Sequence, residues 1–352
     1  MLTSEQLRFI LQSGILAPSA DNYHYLRFEV APPGLKIWYS EPGWPHDGGY
    51  KRAALFLSFG AVAENLAIAA SRFGVRSEFE LFPDPAAPAL AIRVHWQAGG
   101  VSADPLIEEI PKRHCNRGVV FRGPPLSSAA LSALVQEVAA AYPGCNLAWL
   151  GERKRKMQVV ELIRVAEQER FRTRALHKEL FAAIRFDVGW NRSAETGLSP
   201  GALGVEKPLR PLFASLRHWP LMQAFNLLGG SGLLGWRAAV LPCRIAPHLG
   251  AIIIERLDDK HLFNAGRAFQ RVWLALTRNG LALQPMAVGA LFAFPGAAAE
   301  GVPERLQRRL AEAWGGIFPT GRPVMLFRAG HARPPPIVAS RSALEDYMVD
   351  SG

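Results

Sequence analysis

The feature that most constrains the fold of this chain is an internal repeat of one helical segment. GAVAENLAIAASRFGV at residues 60–75 aligns with GRAFQRVWLALTRNGL at 266–281. Identical residues coincide at Gly60/Gly266, Ala69/Ala275, Arg72/Arg278 and Gly74/Gly280. Each segment is followed, after a gap, by an apolar stretch with one arginine, ALAIRV or PVMLFRA. Because repeated units bury their apolar faces against each other, the repeat predicts two related halves of helix and strand.

The composition suits such an arrangement. The chain has 352 residues, of which 49% are hydrophobic and 20% charged, as expected for a soluble globular protein with a large core. Its net charge of +10 favours anionic partners, and nucleotides, nucleic acid and acidic membranes all remain open. Cys115, Cys145 and Cys243 have no CxxC spacing, which argues against a disulfide framework or zinc site and favours a reducing, cytoplasmic setting. The N-terminal sequence is not typical of a signal peptide.

The periodicity of apolar residues predicts helices mixed with short strands, an α+β fold. Thr3 and Gln6 form a possible capping box for a first helix that begins near Ser4 and ends at residues 17–19. Further helices are predicted at 60–73, 127–141, 155–185, 262–279 and 303–314, and strands at 26–30, 35–39, 89–95, 146–150, 251–255 and 323–329. Residues 186–211 are predicted to be a long, lid-like irregular loop. A polar connector near residues 105–125 divides the chain into halves 1–110 and 111–352.

Three short polar stretches are candidates for binding a ligand. The turn APSADN offers the Ser19 hydroxyl and Asn22 amide, which suit the polar edge of a ring, although it also reads as an ordinary helix-ending turn. In KRHCNR, Arg113 and Arg117 could clamp a phosphate, or lie in a solvated linker. Arg341 opens a short helical pattern near the C-terminus, which suits a phosphate seat or a loose tail charge.

The order of these stretches resembles the nitroreductase superfamily, specifically its Acg-like fused branch. APSADNYHYLRF resembles the family turn A-P-S-x-x-N-x-Q-P-W, GAVAENLAIAASRFG its G-x-x-x-E-N-x-x-L-A-A-x-x-x-G helix, and KRHCNRGVVF its basic R-x-S-x-R/K motif. FELFPDP and IPKRHCNR also look like the fused branch. The resemblance covers nearly the whole chain and is thinnest between residues 150 and 240. It implies a nitroreductase-like fold whose two halves pack as an intramolecular pseudo-dimer.

The resemblance also implies one FMN site for each chain. In ordinary members, two subunits share each site, one giving the basic motif and C-terminal arginine and the other giving the Pro-Ser-x-x-Asn turn. Here the first half carries the turn and the second half carries the basic motif. The implied cofactor contacts are Arg113 and Arg341 at the phosphate, Arg117 at the flavin N1/O2 edge, Cys115 within the basic motif, and Pro18, Ser19 and Asn22 along the ring.

The function that this resemblance implies is an FMN-dependent oxidoreductase. Hydride would pass from NAD(P)H through flavin N5 to a nitro, quinone or ene-type acceptor, so no catalytic side chain is required. His24 is either a pocket residue or a surface turn histidine. Cys115 stands where the family usually has Ser or Thr, and Tyr23-His24-Tyr25 replaces Gln-Pro-Trp. The alternative is therefore a non-catalytic protein that binds or sequesters flavin, and both a monomer and a homodimer remain open.

Other patterns are interpreted structurally. GSGLLG at 230–235 fits GxGxxG, but the preceding LMQAFNLL has no β-branched residue, which favours a helical hairpin over a dinucleotide site. Residues 153–156, RKRK, lack interleaved aromatics, so a solvated helix face is favoured over nucleic-acid binding. The uncharged stretch 219–236 contains glycines and a proline, so it is predicted as a buried or lid-like helical segment without stable membrane insertion. No histidine spacing indicates a metal site.

Overall fold

The computed structural model describes residues 2–349 and has an α+β fold. Its helices are α1 (Ser4–Ile15), α2 (Tyr50–Ser71), α3 (Ser128–Ala141), α4 (Arg153–Arg172), α5 (Arg174–Ala182), α6 (Arg210–Ser215), α7 (Trp219–Leu227), α8 (Gly230–Gly235), α9 (Leu241–Ile245), α10 (Asp259–Arg278), α11 (Val288–Leu291) and α12 (Glu304–Ile317). Its strands are β1 (Leu26–Ala31), β2 (Gly34–Tyr39), β3 (Val75–Leu81), β4 (Leu90–Ala98), β5 (Cys145–Trp149), β6 (His248–Ile254), β7 (Ala282–Pro285) and β8 (Arg322–Gly330).

The strands form two antiparallel sheets with the same topology. The first sheet has the order β1-β2-β4-β3 and the second β5-β6-β8-β7. In each sheet, one long helix, α2 or α10, follows the second strand along the chain and precedes the third. The second sheet differs by two insertions, α4–α9 between β5 and β6, and α11–α12 between β7 and β8. The two helix-and-sheet units therefore share one plan, and the larger insertion adds most of the extra chain.

The two repeated helices cross at glycines that the sequence repeat aligns. A Cβ atom on Gly60 would lie 2.0 Å from the Phe263 carbonyl oxygen, and one on Gly266 would lie 2.2 Å from the Leu57 carbonyl oxygen. Leu57 and Phe263 are also aligned positions, so the contact is reciprocal, as it is across a two-fold axis. Only glycine allows this approach of two backbones. The repeat thus marks the point at which the two units meet.

The first helix forms as its capping signals predict. Thr3 Oγ1 accepts a hydrogen bond from the backbone N–H of Gln6 at 3.2 Å, and Gln6 Oε1 accepts one from the N–H of Thr3 at 2.9 Å. These two bonds satisfy helix donors that would otherwise lack partners. α1 then runs to Ile15, and its C-terminal carbonyls point toward the candidate site described below.

Several boundaries differ from the sequence predictions. α2 begins at Tyr50, ten residues before the predicted start. The sequence did not indicate this extension, because residues 53–59 are almost all apolar and so show no amphipathic helical period. The single helix predicted at 155–185 is divided at Thr173, whose φ of −97° and ψ of 125° are extended. β3 and β7 were not predicted. The residues of β3 alternate between its two faces, a pattern that the sequence does carry.

Two apolar segments bear on the membrane interpretation. α2 is long and apolar enough to cross a bilayer, but 89% of its apolar window is buried, because it is the central helix of the core. Residues 219–236 fold into the two short helices α7 and α8, with Gly229 between them at a φ of 81°. The GSGLLG sequence is α8 itself and does not follow a strand, which confirms its interpretation as part of a helical hairpin.

Candidate functional site

A cavity of about 1180 Å³ lies between the two helix-and-sheet units. α2 contributes Ser58 and Ala61 to its wall, and α10 contributes Phe269 and Trp273. The wall is mainly apolar, and one group of polar residues lies near the C-terminal end of α1. A cavity of this kind suits a flat, largely apolar ring system that carries a polar or charged end.

The predicted Pro-Ser turn forms one wall of this cavity. After α1 ends, Asp21 and Asn22 adopt left-handed φ angles of 50° and 65°, which turn the chain sharply. The Asn22 amide donates to the carbonyl oxygens of Glu195 at 3.1 Å and Ser340 at 3.4 Å, so it ties the turn to the second half of the chain. The Ser19 hydroxyl oxygen is buried without a hydrogen-bond partner. Such an orphaned group beside a cavity is one that a ligand could satisfy.

Two arginines from distant segments meet at the same end of the cavity. Arg113 Nη2 donates to the Leu16 carbonyl at 2.9 Å, and Arg341 donates from Nε to Ile15 at 2.9 Å and from Nη2 to Ala17 at 2.6 Å. These carbonyls form the negative end of the α1 dipole, which helps to hold the two cations close together. Within residues 2–349, neither guanidinium pairs with a carboxylate.

The electrostatics of this pair favour an added anion. Burial, followed by repulsion from Arg341, lowers the pKa of Arg113 to about 9. Burial also lowers the pKa of Arg341 to about 10. The Arg113 guanidinium lies 4.5 Å from the ring centroid of Trp273, and its buried Nε atom has no partner. A phosphate between the two arginines would relieve their repulsion and accept the unused N–H.

Cys115 and Arg117 extend the basic segment along the cavity. Cys115 forms a parallel bridge with Leu283, so the segment lies beside β7. Arg117 makes one long contact, 3.5 Å from Nη1 to the Ala202 carbonyl. The structure brings all the predicted cofactor residues to the wall of one cavity: Pro18, Ser19, Asn22, Arg113, Cys115, Arg117 and Arg341. The short helix predicted to begin at Ser340–Ser342 does not form, and the next helical turn begins at Leu344.

His24 lies neither in the cavity wall nor on the surface, so both readings of this residue need correction. Its side chain is buried, and Nε2 lies 2.9 Å from the Ile15 carbonyl oxygen. Since that oxygen can only accept, Nε2 carries the proton and the buried Nδ1 is left without a partner. Burial, and then the charges of Arg341 and Arg113, lower the pKa of His24 to about 3.

The cavity also contains a polar group that the sequence analysis missed. Tyr50 donates its hydroxyl to a Glu179 carboxylate oxygen at 2.8 Å, and Lys51 Nζ lies 2.8 Å from the same carboxylate. Burial, and then the Glu179 charge, raises the pKa of Tyr50. Sequence spacing gives no signal for this group, because Glu179 belongs to α5 in the large insertion. The predicted loop 186–211 lines the cavity as well, through Leu198 and Leu203 among others.

On the opposite side of the helix crossing is an open cleft of about 870 Å³. Its wall includes Ala67, which the repeat aligns with Trp273 of the first cavity. Glu64 is buried here, with its carboxylate 2.7 Å from Arg271 Nε and 3.1 Å from Arg267 Nε. The Tyr142 hydroxyl donates to the same carboxylate at 2.7 Å. Arg267 and Arg271 of this cleft are therefore already paired with a carboxylate of the protein.

The remaining sequence candidates have structural roles. In the RKRK segment, Arg155 donates to the Ile317 carbonyl at 2.7 Å, and Lys156 donates to the Ala246 carbonyl at 2.8 Å, so both are part of the packing around α4. Across the described part of the chain, no group of three or more His, Cys, Asp or Glu side chains is arranged to hold a metal ion. Cys115, Cys145 and Cys243 are free thiols.

The chain resembles several solved flavoprotein structures. The FMN-dependent nitroreductase NfnB from Mycobacterium smegmatis, in complex with NADPH, is 15% identical with a TM-score of 0.39 over 70% of this chain and 97% of that one. A BluB-like flavoprotein from Clostridium difficile 630 is 11% identical, with a TM-score of 0.40 over 71% and 100%. Iodotyrosine deiodinase, bound to FMN and 3-iodo-L-tyrosine, is 16% identical, with a TM-score of 0.37 over 68% and 95%. Similarity at this level carries no conclusion about chemistry. No protein-family model and no curated protein matches the chain by sequence.

Proposed function

We propose that this chain binds FMN in the cavity between its two units and acts as an NAD(P)H-dependent oxidoreductase of the nitroreductase type. The observation that carries the proposal is the Arg113–Arg341 pair. The two guanidinium groups lie together without a carboxylate partner in the described residues, and an unpartnered Arg113 Nε and Ser19 Oγ lie in the same cavity. Anion-binding groups at one end of a large apolar cavity match a phosphate-bearing aromatic cofactor.

The residues of the cavity fit FMN in the following way. Arg113 and Arg341 would hold the phosphate, and Cys115 would lie beside it. Ser19 and Asn22 would line the ring from the first half of the chain. The Asn22 amide is already used to anchor its turn, so the hydroxyl of Ser19 is the free hydrogen-bonding group on this side.

When bound, FMN supplies the hydride-accepting and hydride-donating centre of this class of reaction. The protein would orient the ring and exclude water with the apolar wall. Arg117 would place positive charge near the N1/O2 edge, where negative charge develops on reduction. We further propose that residues 1–110 and 111–352 are tandem units forming one pseudo-dimeric site.

A second candidate is a protein that binds flavin without turnover. Residues of the insertion cover one side of the cavity, including Leu198, Leu203, Phe213 and Leu234. A cover of this kind could hold the cofactor while excluding a second substrate. Cys115, a weaker hydrogen-bonding residue than serine or threonine, is also compatible with a site that has lost part of its original chemistry.

The test is the visible spectrum of the purified protein after FMN is added and the excess removed. We expect a retained flavin band at about 450 nm, and a loss of FMN affinity of roughly 10- to 100-fold in Arg113→Ala or Arg341→Ala. Arg278→Ala is the matched control, because this arginine lines the opposite cleft. A wild-type protein that retains no flavin, or equal affinity in all three variants, would refute the proposal. Anaerobic bleaching by NADPH separates turnover from binding alone.

A further inference from the structure

The α7–α8 hairpin exposes an unusual amount of apolar surface. Leu227 and Leu228, at its tip, are 89% and 87% exposed, and Leu233 is 60% exposed. These leucines do not belong to an incompletely packed core, because the other side of the hairpin already packs against the protein. Met222 is fully buried there, and Phe225 packs into the same small cluster around α5. The exposed leucines therefore form a separate, outward-facing surface.

The chain segment that carries this surface has charged residues of one sign only. From Lys207 to Ile254 the sequence contains no aspartate or glutamate, but it contains Lys207, Arg210, Arg217, Arg237 and Arg244. Arg237 is neutralised by Glu206 at 2.6 Å, which lies just outside this stretch. Arg217 is exposed and pairs with no carboxylate in the described residues.

A further cation comes from α4. The Asn226 amide donates to the Phe171 carbonyl at 2.9 Å, which places the exposed Arg172 beside the leucine tip. Within residues 2–349, Arg172 also has no carboxylate partner. Arg172 thus lies beside the leucine tip, and Arg217 lies at the other end of α7. Exposed leucines with unpaired arginines on the same hairpin surface match the interface of an anionic bilayer, where leucine enters the acyl region and arginine meets lipid phosphates.

We propose that the α7–α8 hairpin docks this protein peripherally on anionic lipid bilayers. Leu227 and Leu228 enter the headgroup–acyl boundary, and Arg172 and Arg217 contact lipid phosphates. Nucleic acid fits this surface less well, because its recognition uses cations with stacked aromatics, and the tip presents aliphatic side chains. The docking differs from membrane spanning, since α7 and α8 are each far shorter than a bilayer-crossing helix.

The docking surface adjoins the mouth of the large cavity. Leu209, Leu212, Leu233 and Trp236 all line the cavity, and all are among the exposed large apolar residues. Docking by the hairpin would therefore bring the cavity mouth to the lipid surface. This inference does not depend on flavin binding, since none of the hairpin residues is among the proposed cofactor contacts.

The experiment is flotation of the full-length protein with vesicles of equal parts phosphatidylglycerol and phosphatidylcholine, compared with pure phosphatidylcholine. We expect the wild type to float with the anionic vesicles, and Leu227→Ser/Leu228→Ser to lower the partition coefficient by roughly 100-fold. Val30→Ser/Val120→Ser is the matched control, because it removes two exposed apolar side chains elsewhere. Near-UV circular dichroism checks that each variant is folded.

Two further variants separate the parts of the proposal. Arg172→Gln/Arg217→Gln should weaken flotation with anionic vesicles. Added salt should also reduce the flotation of this variant less than it reduces that of the wild type. Arg113→Ala, which removes a proposed FMN contact, should float as the wild type does. Failure of the wild type to float, or equal flotation of the Leu227→Ser/Leu228→Ser variant, would overturn the inference. The inference would also be overturned if the wild type is a dimer that binds no vesicles and the Leu227→Ser/Leu228→Ser variant is a monomer. A second copy of the chain would then cover the leucines.

Discussion

The two sides of the α2–α10 crossing have the same backbone plan and opposite electrostatics. On one side, the buried Glu64 pairs with both Arg267 and Arg271. On the other side, Arg113 and Arg341 lie together without a carboxylate partner in the described residues, and the cavity between the units is deep and apolar. Shared topology therefore provides a cleft on each side. Arg267 and Arg271 at one are paired with Glu64, whereas Arg113 and Arg341 at the other have no carboxylate partner in the described residues.

The difference can be traced to a pair of aligned positions in the repeat. Glu64 aligns with Gln270, and Asn65 aligns with Arg271. Across the crossing, Glu64 pairs with Arg271 at 2.7 Å, and the aligned pair on the other side is Gln270 Nε2 donating to Asn65 Oδ1, also at 2.7 Å. One pair is an ion pair within a charged network and the other is neutral. The two halves of the repeat therefore differ in charge at these aligned positions.

The largest effect on the free energy of unfolding is expected at the α2–α10 crossing, because the cleft and the cavity both depend on this contact. Gly60→Ala would place a Cβ atom 2.0 Å from the Phe263 carbonyl oxygen, so the helices must separate, at a cost of about 3 kcal/mol or more in the free energy of unfolding. Gly315→Ala is the control, since this exposed glycine in α12 has no neighbour within 4 Å, and alanine should stabilise the helix by up to about 1 kcal/mol. Urea unfolding measures both. Equal stabilities would rule out a close crossing.

The next largest effect on stability is expected from removing the buried charge of Glu64. Glu64→Ala leaves Arg267 and Arg271 without their buried partner, and should lower the free energy of unfolding by about 3 kcal/mol. Glu312→Ala, at an exposed position in α12, should have little effect. FMN retention should be unchanged, because Glu64 lines the cleft and not the cavity. A loss of FMN affinity comparable to that of Arg113→Ala would contradict the separation of the two sides.

The pH dependence of stability should report the burial of His24 next to the two cations. The pKa of His24 is about 3 in the folded protein and 6.5 ordinarily. Its contribution to stability is therefore complete above pH 6.5 and is lost as the pH falls from 6.5 toward 3, since the unfolded chain then binds the proton. Between pH 7 and pH 5 we expect a loss of about 2 kcal/mol, absent in His24→Gln. Urea unfolding at both pH values measures this, and an unchanged pH slope in the variant would refute it.

The smallest effect concerns Cys115. A hydroxyl is a better hydrogen-bond donor and acceptor than a thiol, so Cys115→Ser should tighten FMN binding by about 3- to 10-fold. Fluorescence titration with FMN measures the change. The buried Cys145→Ser is a suitable control, because this residue does not line the cavity and should leave the affinity unaltered. An unchanged affinity in Cys115→Ser would place the side chain away from the cofactor, and weaker binding would contradict the expected gain from the hydroxyl.

Much of the framework could be predicted from the sequence because it rests on local or repeated signals. The capping box at Thr3, the helix that includes Gly60, and its repeat around Gly266 all have patterns that a single sequence displays. The start of α2 could not be predicted, because a helix buried on all sides has no amphipathic period. The misreading of His24 has a similar cause. Its burial depends on where α1 ends against the chain that follows, and neighbouring residues do not encode that packing.

The sequence by itself indicated two similar units through its repeat, and supplied the residue types for the proposed anion site, including Arg113 and Arg341. Tertiary structure decided that these arginines, more than 200 residues apart, share the C-terminal end of α1. It also decided that the α7–α8 leucines face outward while Met222 faces a core. The physical reason is that apolar periodicity and capping act within a few residues, whereas the pairing or isolation of a charge depends on which distant groups the packing brings within a few ångströms.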